Sequence, residues 1–427
     1  MCFALEEMTI LENFIYLLQK FLITNSENDH KIIRKHTKRL QQSGDISFPL
    51  DIRNWYHLLD KQLLNDGMVN IFDYGMPGID VDKQIIQLKE ESTNWSIHID
   101  KIVVENNEAF LFLERSQELL RNVIEQVIEC GHSYSSSKVI ERTICLQTHP
   151  IIEDHTEVDL SVLRLHLVKE VAKNFINKST REIPEGSSVV HLLLNPIDDC
   201  TVNVLCGPVL NDKGVKSSTA AKDLYRTRSD DMKMMAYHKY HVPAVANQSW
   251  NTYFRKLGEA SVTIEMLANK PQKPIKITVN DTRSANKGSS FIFYNCARLS
   301  ALFKEFDKKT ATSIYPELPN ISDVDFSLLT QPEEWELFYV YIMQYPLVVK
   351  SCIRDIEKGF LNPQYLISFL TNLSSVFSVY YRRIRILTNP REHMFAVIHA
   401  RIFLLKAVQI VFHDALELLN IEPIKEM

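Results

Sequence analysis

The sequence predicts a mixed α+β protein: an α+β region at the N-terminus, a small α/β core, and an all-α bundle at the C-terminus. Three observations carry this reading. Between residues 138 and 210, apolar runs of strand length flank one long helical segment, the order that gives a partly parallel sheet. From Phe291 onward, apolar residues recur at helical spacing between capping and proline signals. Glycine is scarce, at 11 of 427 residues, which leaves few of the tight turns that phosphate-cradling loops require.

Taken in order, Leu5 to about Leu64 reads as helical, with a first apolar stripe through Leu11, Phe14, Ile15 and Leu18. On that reading Lys31, Arg34, Lys35 and Lys38 share one helix face and form a possible RNA contact. Short strands are expected in "WSIHIDKIVVEN" and "AFLFLE", then a helix from about Ser116 to Cys130. The serine-rich stretch from Ser133 to Lys138 reads as a linker. Beyond it come the strand "VIERTICLQT", the helix "DLSVLRLHLVKEVAKNFI" and the strands "SVVHLLLN" and "TVNVLCGPV". The polar segment from Asn211 to about Asn286 reads as long connections. In the bundle, Thr330 and Glu333 have capping-box spacing, and Asn362-Pro363 and Asn389-Pro390 mark helix starts. The last helix runs to about Leu419, with Asn420 as its cap. The expected division is 1–132, 138–285 and 289–427.

The totals exclude several classes. A net charge of −5 excludes a globally basic nucleic-acid binder but not a local basic patch. The seven cysteines are scattered and form no C-x-x-C pair, so neither a disulfide framework nor a structural zinc site is expected. The start of the chain lacks a signal-peptide pattern, and no segment reads as apolar for long enough to span a membrane; a cytoplasmic protein with no membrane partner is the expectation. No catalytic set assembles. His238 and His241 lack a paired carboxylate or cysteine, and Asp198-Asp199 is equally explained by a turn.

The main charge anomaly is "VYYRRIRILTNPREHMFAVIHARIFLLKAVQ". There Arg382, Arg383, Arg385, Arg391, Arg401 and Lys406 face only Glu392, and Tyr381 stands among them. Arginine forks bind phosphate and aromatic rings stack unpaired bases, a mixture suited to a flexible RNA loop rather than to DNA. A solvated basic helix face is the competing explanation.

The segment "FIFYNCARLSALF" resembles the entry to the helical DALR anticodon-binding domain of arginyl-tRNA synthetases, and "FHDALELLNIEPIKEM" is similar to its closing helix and tail. The resemblance supports Tyr294, Asn295 and Arg298 as the motif opening the bundle, and places Met427 near an anticodon base. Two roles stay open for Arg298, a lock between helices or an RNA contact.

More faintly, "TICLQTHPIIEDHTEVDLSVLRLHLVKEVAKNF" resembles the first strand and helix of a shrunken class I synthetase core. Asp159, Leu160, Ser161 and Val162 stand where the synthetases have H-x-G-H, and Lys216, Ser217 and Ser218 remain from a K-M-S-K-S-like loop. Losing both imidazoles removes donors that stabilise charge on the phosphate, so no aminoacylation is expected.

The whole pattern resembles the family of DALR anticodon-binding domain-containing protein 3. That resemblance implies a non-catalytic adaptor that recognises arginine tRNAs. It would present them to a methyltransferase forming 3-methylcytidine in the anticodon loop. S-adenosylmethionine would then belong to the partner, with no cofactor and no metal on this chain. A divergent arginine-tRNA ligase and a structural scaffold are the alternatives.

Overall fold

A computed structural model describes residues 8–23, 32–60, 62–64, 67–75, 78–150, 157–180, 186–195, 202–240, 248–279 and 286–425. Contacts group the chain into two units. The first is Met1–Gln126, Pro319–Gln344 and His399–Leu404; the second is Val127–Leu318, Tyr345–Ile398 and Leu405–Met427. These units do not follow the three-part division expected at 132/138 and 285/289. Residues 319–344 and 399–404 of the helical bundle group with the N-terminal region instead.

The first unit begins with α1 (Ile10–Leu22), whose stripe Leu11, Phe14, Ile15 and Leu18 is buried as its spacing requires. Thr9 caps it, with Glu12 closing a capping box. The next segment corrects the helical expectation. Arg34–Lys35 form strand β1, which pairs with β2 (Ile46–Pro49) on the far side of the short α2 (Leu40–Ser43). Successive strand residues point to opposite faces, so the basic residues there do not share a helix face. After α3 (Ile71–Gly75) and α4 (Val81–Ser92) come β3 (Ile99–Glu105) and β4 (Glu108–Leu113). These two strands form a hairpin turned by Asn106 and Asn107, both at positive φ (50° and 61°). The sheet order is β1-β2-β4-β3, antiparallel throughout. Ala109, Leu111 and Leu113 of β4 alternate into the core.

Helix α5 (Gln117–Cys130) follows, and the unit is completed by α10 (Pro332–Glu336) and a buried π-helical segment, Leu337–Met343. Buried Asp45 ties these late residues to the sheet. It accepts from Trp335 Nε1 at 2.8 Å and Leu113 N at 2.8 Å, while Tyr339 donates to its carbonyl at 2.7 Å. Burial raises the Asp45 pKa, and the Leu113 N–H, the Trp335 N–H and the charge of Arg115 work against the rise.

The second unit contains a parallel sheet of β5 (Thr143–His149), β6 (Ser187–Leu193) and β7 (Asn203–Leu205), in that order. Helix α6 (Leu160–Ser179) makes the crossover from β5 to β6, and β8 (Val209–Leu210) pairs in parallel with β9 (Ile275–Lys276). The expected strand–helix–strand order is present. Arg164 of α6 is fully buried and donates to the carbonyls of Gly207, Met266, Lys270 and Lys273, which orders the chain around β8 and β9.

Two expectations fail here. The segment expected to hold long connections forms α7 (Ala221–Tyr240) and α8 (Gln248–Leu267). These cross closely where Gly258 meets Ser229; a Cβ at Gly258 would lie 2.4 Å from the Ser229 hydroxyl. Arg228, fully buried, joins the pair through Glu265 at 2.9 and 3.0 Å. The second failure is the linker. Gly131–Ser135 is a 3₁₀ turn, and Ser135 is buried and bonded to Asp414 at 2.6 Å.

The bundle helices are α9 (Asn286–Ala311), α11 (Tyr345–Ile353), α12 (Gln364–Arg383) and α13 (Glu392–Leu418). Cap positions shift by one or two residues from the expected ones: the N-caps are Gln331, Pro363 and Arg391. Asn420 follows the last helix at φ 59°, the left-handed conformation expected of a residue closing a helix. One expectation about membranes changes as well, because α13 is long and apolar enough to cross a bilayer by length and composition. Sixty-one per cent of its apolar window is buried within the protein, as in a core helix of a bundle.

Candidate nucleic-acid interface

Tyr294, Asn295 and Arg298 lie on α9 at positions i, i+1 and i+4, so Tyr294 and Arg298 are neighbours on one face. Asn295 is fully buried and donates to the Phe291 carbonyl at 2.9 Å, which makes it an internal tie. Arg298 is half-buried. It donates to the Tyr294 hydroxyl at 2.5 Å, and its guanidinium lies 4.2 Å from the Tyr294 ring centroid. On α12 the Tyr381 ring centroid is 4.8 Å from the same guanidinium. One planar cation thus joins two phenol rings from two helices, an arrangement that arginine supports through its flat, weakly hydrated head group.

Tyr381 is 40 % exposed, so the side chain that holds α12 to Arg298 also reaches solvent. Arg382 and Arg383 follow it in the last turn of α12, where a positive charge complements the helix dipole. Both are exposed, as are Arg385 in the following loop and Arg391 at the cap of α13. Among the described residues, Arg382, Arg385 and Arg391 form no ion pair with a carboxylate. The loop carrying Arg385 is fixed from beneath: buried Tyr315 donates its hydroxyl to the Thr388 carbonyl, and its ring packs 5.9 Å from that of Phe395. The corner between α12 and α13 therefore presents four arginines and one tyrosine on an anchored backbone.

Other expected members lie elsewhere. Arg401 is buried and its Nε donates to Glu334 Oε1 at 2.7 Å, so its charge is spent inside the protein. This corrects its assignment to an RNA surface, for a carboxylate 67 residues upstream neutralises it. Lys406 is half-buried and lies roughly 20 Å along α13 from Arg391 at 1.5 Å per residue. Arg34 is exposed and paired with Glu108 at 3.3 Å. Lys35 is partly buried, which lowers its pKa, and Lys38 is exposed. Lys31, Met427, His241, Asp198 and Asp199 fall outside the described residues, as does the side chain of His238.

The synthetase-like positions come together at the start of α6. Asp159 is its N-cap, and Oδ1 accepts from Ser161 N at 2.8 Å and Val162 N at 3.0 Å. Its other oxygen pairs with Lys216 Nζ at 2.9 Å. Burial works to raise the Asp159 pKa, but Lys216 and the two N–H groups outweigh it and hold the carboxyl below its ordinary value. Leu160 is buried, and the Ser161 hydroxyl accepts from Val209 N at 3.1 Å. Ser217 is buried and Ser218 exposed. The helix N-terminus, a place where backbone N–H groups can meet a phosphate, is here occupied by the chain's own carboxylate and its counter-ion.

Sequence reasoning missed the contact of Tyr381 with Arg298, the Glu334 partner of Arg401 and the Tyr315 anchor. All three pair residues more than 60 positions apart, so no local pattern marks them.

Comparison with known proteins bears on the same stretch. Residues 292–427 match the family model of the DALR anticodon binding domain. The chain is 31 % identical over 234 residues to DALR anticodon-binding domain-containing protein 3 of Danio rerio, covering 52 % of this chain and 41 % of the relative. It is also 31 % identical over 230 residues to the Mus musculus protein of that name, covering 53 % and 43 %. The chain thus spans less than half the length of these curated relatives. Among solved structures, Thermus thermophilus arginyl-tRNA synthetase aligns with 98 % of this chain and 59 % of its own at 12 % identity, with a TM-score of 0.39. Tyr294, Arg298, Tyr381 and the four exposed arginines all fall inside the DALR match.

Proposed function

We propose that this chain is a non-catalytic reader of arginine tRNAs that presents them, in the cytoplasm, to a methyltransferase forming 3-methylcytidine in the anticodon loop. The observation that carries the RNA half is the α12–α13 corner within the DALR domain, with Arg382, Arg383, Arg385 and Arg391 exposed around Tyr381. Guanidinium forks suit phosphate oxygens, and an exposed phenol ring suits a splayed base. The choice of arginine tRNAs and of a methyltransferase partner rests on resemblance to DALR anticodon-binding domain-containing protein 3, and S-adenosylmethionine would be held by that partner.

The non-catalytic half is supported by Asp159. Its carboxylate takes the two N–H groups at the start of α6 and also takes Lys216. A polyphosphate approaching there meets a negative charge and no free donor on those groups.

The test is substitution at the corner. Arg382→Glu with Arg383→Glu is expected to weaken binding of an arginine tRNA by tenfold or more at moderate salt, with a folded protein and only a small loss of thermal stability from the reversed charge at the end of α12. Unchanged affinity in a folded variant would remove the corner from the interface.

A further inference from the structure

The first unit holds a small cavity whose walls come from three separate stretches of its chain. Its volume is about 210 Å³, and its polar and aromatic lining is Arg39, Gln41 and Gln42 at α2, Arg115 beyond β4, and Trp335 and Glu336 of α10. Asp45, two residues past α2, joins the three stretches. Its carboxylate accepts from Trp335 Nε1 and from Leu113 N, both at 2.8 Å, and Leu113 lies two residues before Arg115. The turn of α2 is closed by Gln42 N and Ser43 N, which donate to the Arg39 carbonyl at 2.8 and 2.9 Å. Arg39 itself stands at φ 54°, a left-handed conformation that glycine and asparagine adopt far more readily than arginine. Such a conformation persists where the surrounding structure fixes it, so this exposed side chain rises from a fixed backbone.

The lining combines the groups that hold a base and a phosphate. Trp335 stacks on Tyr339 with centroids 5.9 Å apart and planes 6° from parallel, and the Arg115 guanidinium lies over the indole at 5.1 Å. A planar cation backed by aromatic rings is a surface on which a nucleobase stacks. Arg39 and Arg115 are exposed, and among the described residues neither forms an ion pair with a carboxylate, although the charges of Asp45 and Asp100 act on Arg115. Glu336 supplies the opposite character. Burial and the charge of Glu333 raise its pKa, and Lys38 works against the rise. A carboxylate accepts hydrogen bonds and the Gln41 and Gln42 amides both donate and accept, while guanine presents two neighbouring N–H donors on one edge. Drug-sized pockets begin at about 300 Å³, so this smaller volume suits a single base. Trp335 and Glu336 fall within residues 292–427, the match to the DALR anticodon binding domain, which points the cavity toward RNA.

We infer that this cavity docks one unpaired nucleotide of an RNA, guanosine best, with its base stacked on Arg115, the N–H edge of the base on Glu336 and its phosphate on Arg39. The inference deepens the RNA-reading function and rests on it for the RNA. It adds a base-selective contact made by the first unit, with no residue shared with the arginine corner. Arg39 positions the strand through its phosphate, and Glu336 specifies the base.

The experiment measures binding of the full chain to labelled single-stranded uridine pentamers with a central guanine, adenine or uridine, and to an arginine tRNA, across a salt series. Wild type is compared with Arg39→Asn, Arg115→Ala and Glu336→Gln, and with Arg382→Glu combined with Arg383→Glu. Asparagine suits the left-handed position of residue 39, so that variant removes the charge without straining the turn. The wild type is expected to prefer the guanine pentamer at least fivefold. Arg115→Ala should lose about fivefold or more in affinity for it, the low end for one stacked base. Arg39→Asn should flatten the logarithmic salt slope by about 0.7, the share of one phosphate on a single strand. Glu336→Gln should bind the guanine and adenine pentamers equally. Wild-type affinity and base preference in folded Arg39→Asn and Glu336→Gln would overturn the cavity site, and weakened tRNA binding by the corner variant would then leave the RNA-reading function standing. Equal affinity of the wild type for all three pentamers, or binding of none, would also overturn it. The converse pattern, with cavity variants weakened and the corner variant unchanged, would keep the cavity and remove the corner. A wild type that binds neither pentamers nor tRNA would remove both. Competition by free GMP as strong as that of the guanine pentamer, or by inorganic phosphate as strong as that of GMP, would show a free-nucleotide or simple anion site and overturn the inference.

Discussion

Arg298 answers at the residue scale a question that its sequence context leaves open. Its guanidinium lies 4.2 Å from one tyrosine ring and 4.8 Å from another, on two helices, so its first role is to hold α12 against α9. Through Tyr381 it also sets the position of a ring that reaches solvent. Arg298→Ala is expected to cost about 1–2 kcal/mol of stability, the value of a partly desolvated cation–π contact. It should also weaken tRNA binding, because Tyr381 loses its support. Arg298→Lys keeps the charge but not the planar stack and should fall between the two. Thermal melts read beside binding curves decide the matter. Affinity lost with stability untouched would make Arg298 a direct RNA ligand, and stability lost alone would make it purely structural.

Among the elements, legibility follows the range of the interactions that make each one. The β3–β4 hairpin, α5, the β5–α6–β6 crossover and the bundle were readable because their patterns are local: Ala109, Leu111 and Leu113 alternate, and the Asn106-Asn107 turn sits between two strands. Helices α7 and α8 were not readable. Their polar composition hides a helix pair held by the buried Arg228–Glu265 contact and by the close approach at Gly258. The basic run near Arg34 misled in the opposite direction, since spacing of three and four suits a helix while pairing with Ser47 and Ile46 made Arg34–Lys35 a strand. At the candidate site the local charge cluster was legible, and Arg401 was misplaced because Glu334 lies far away in sequence.

The start of α6 gives the prediction at this scale. Asp159→Ala should cost about 1 kcal/mol through the lost cap. The Asp159 pKa is lowered in the fold, so its contribution is present above the unfolded value near ~4 and is lost as the pH falls through the folded value. Stability curves of the two proteins should therefore run parallel at neutral pH and converge in acid. A gap that persists in acid would show that Asp159 does not act through its charge.

The whole molecule does not divide where its sequence patterns change. Within the first unit, Trp335 of the bundle region bonds to Asp45. Within the second, Asp414 of α13 accepts from Ser135 and Tyr345 at 2.6 Å each and pairs with Lys178 at 2.6 Å. A fragment of residues 289–427 loses Asp45, Ser135 and Lys178 at once and strands Asp414 as a buried charge with fewer partners. It should melt without a cooperative transition, and the full chain is expected to show at least one on the same instrument. A sharp transition in the fragment would show that the DALR region folds unaided.

The proposed recognition of arginine tRNAs centres on the corner between α12 and α13. It is tested most directly by competition between arginine tRNAs and other tRNAs for the purified full chain, across a salt series. Preference for an arginine subset is expected, with affinity falling as salt rises by a logarithmic slope of about −2 to −3 if three or four phosphates engage a flexible loop. Equal affinity for all tRNAs, or binding insensitive to salt, would contradict it.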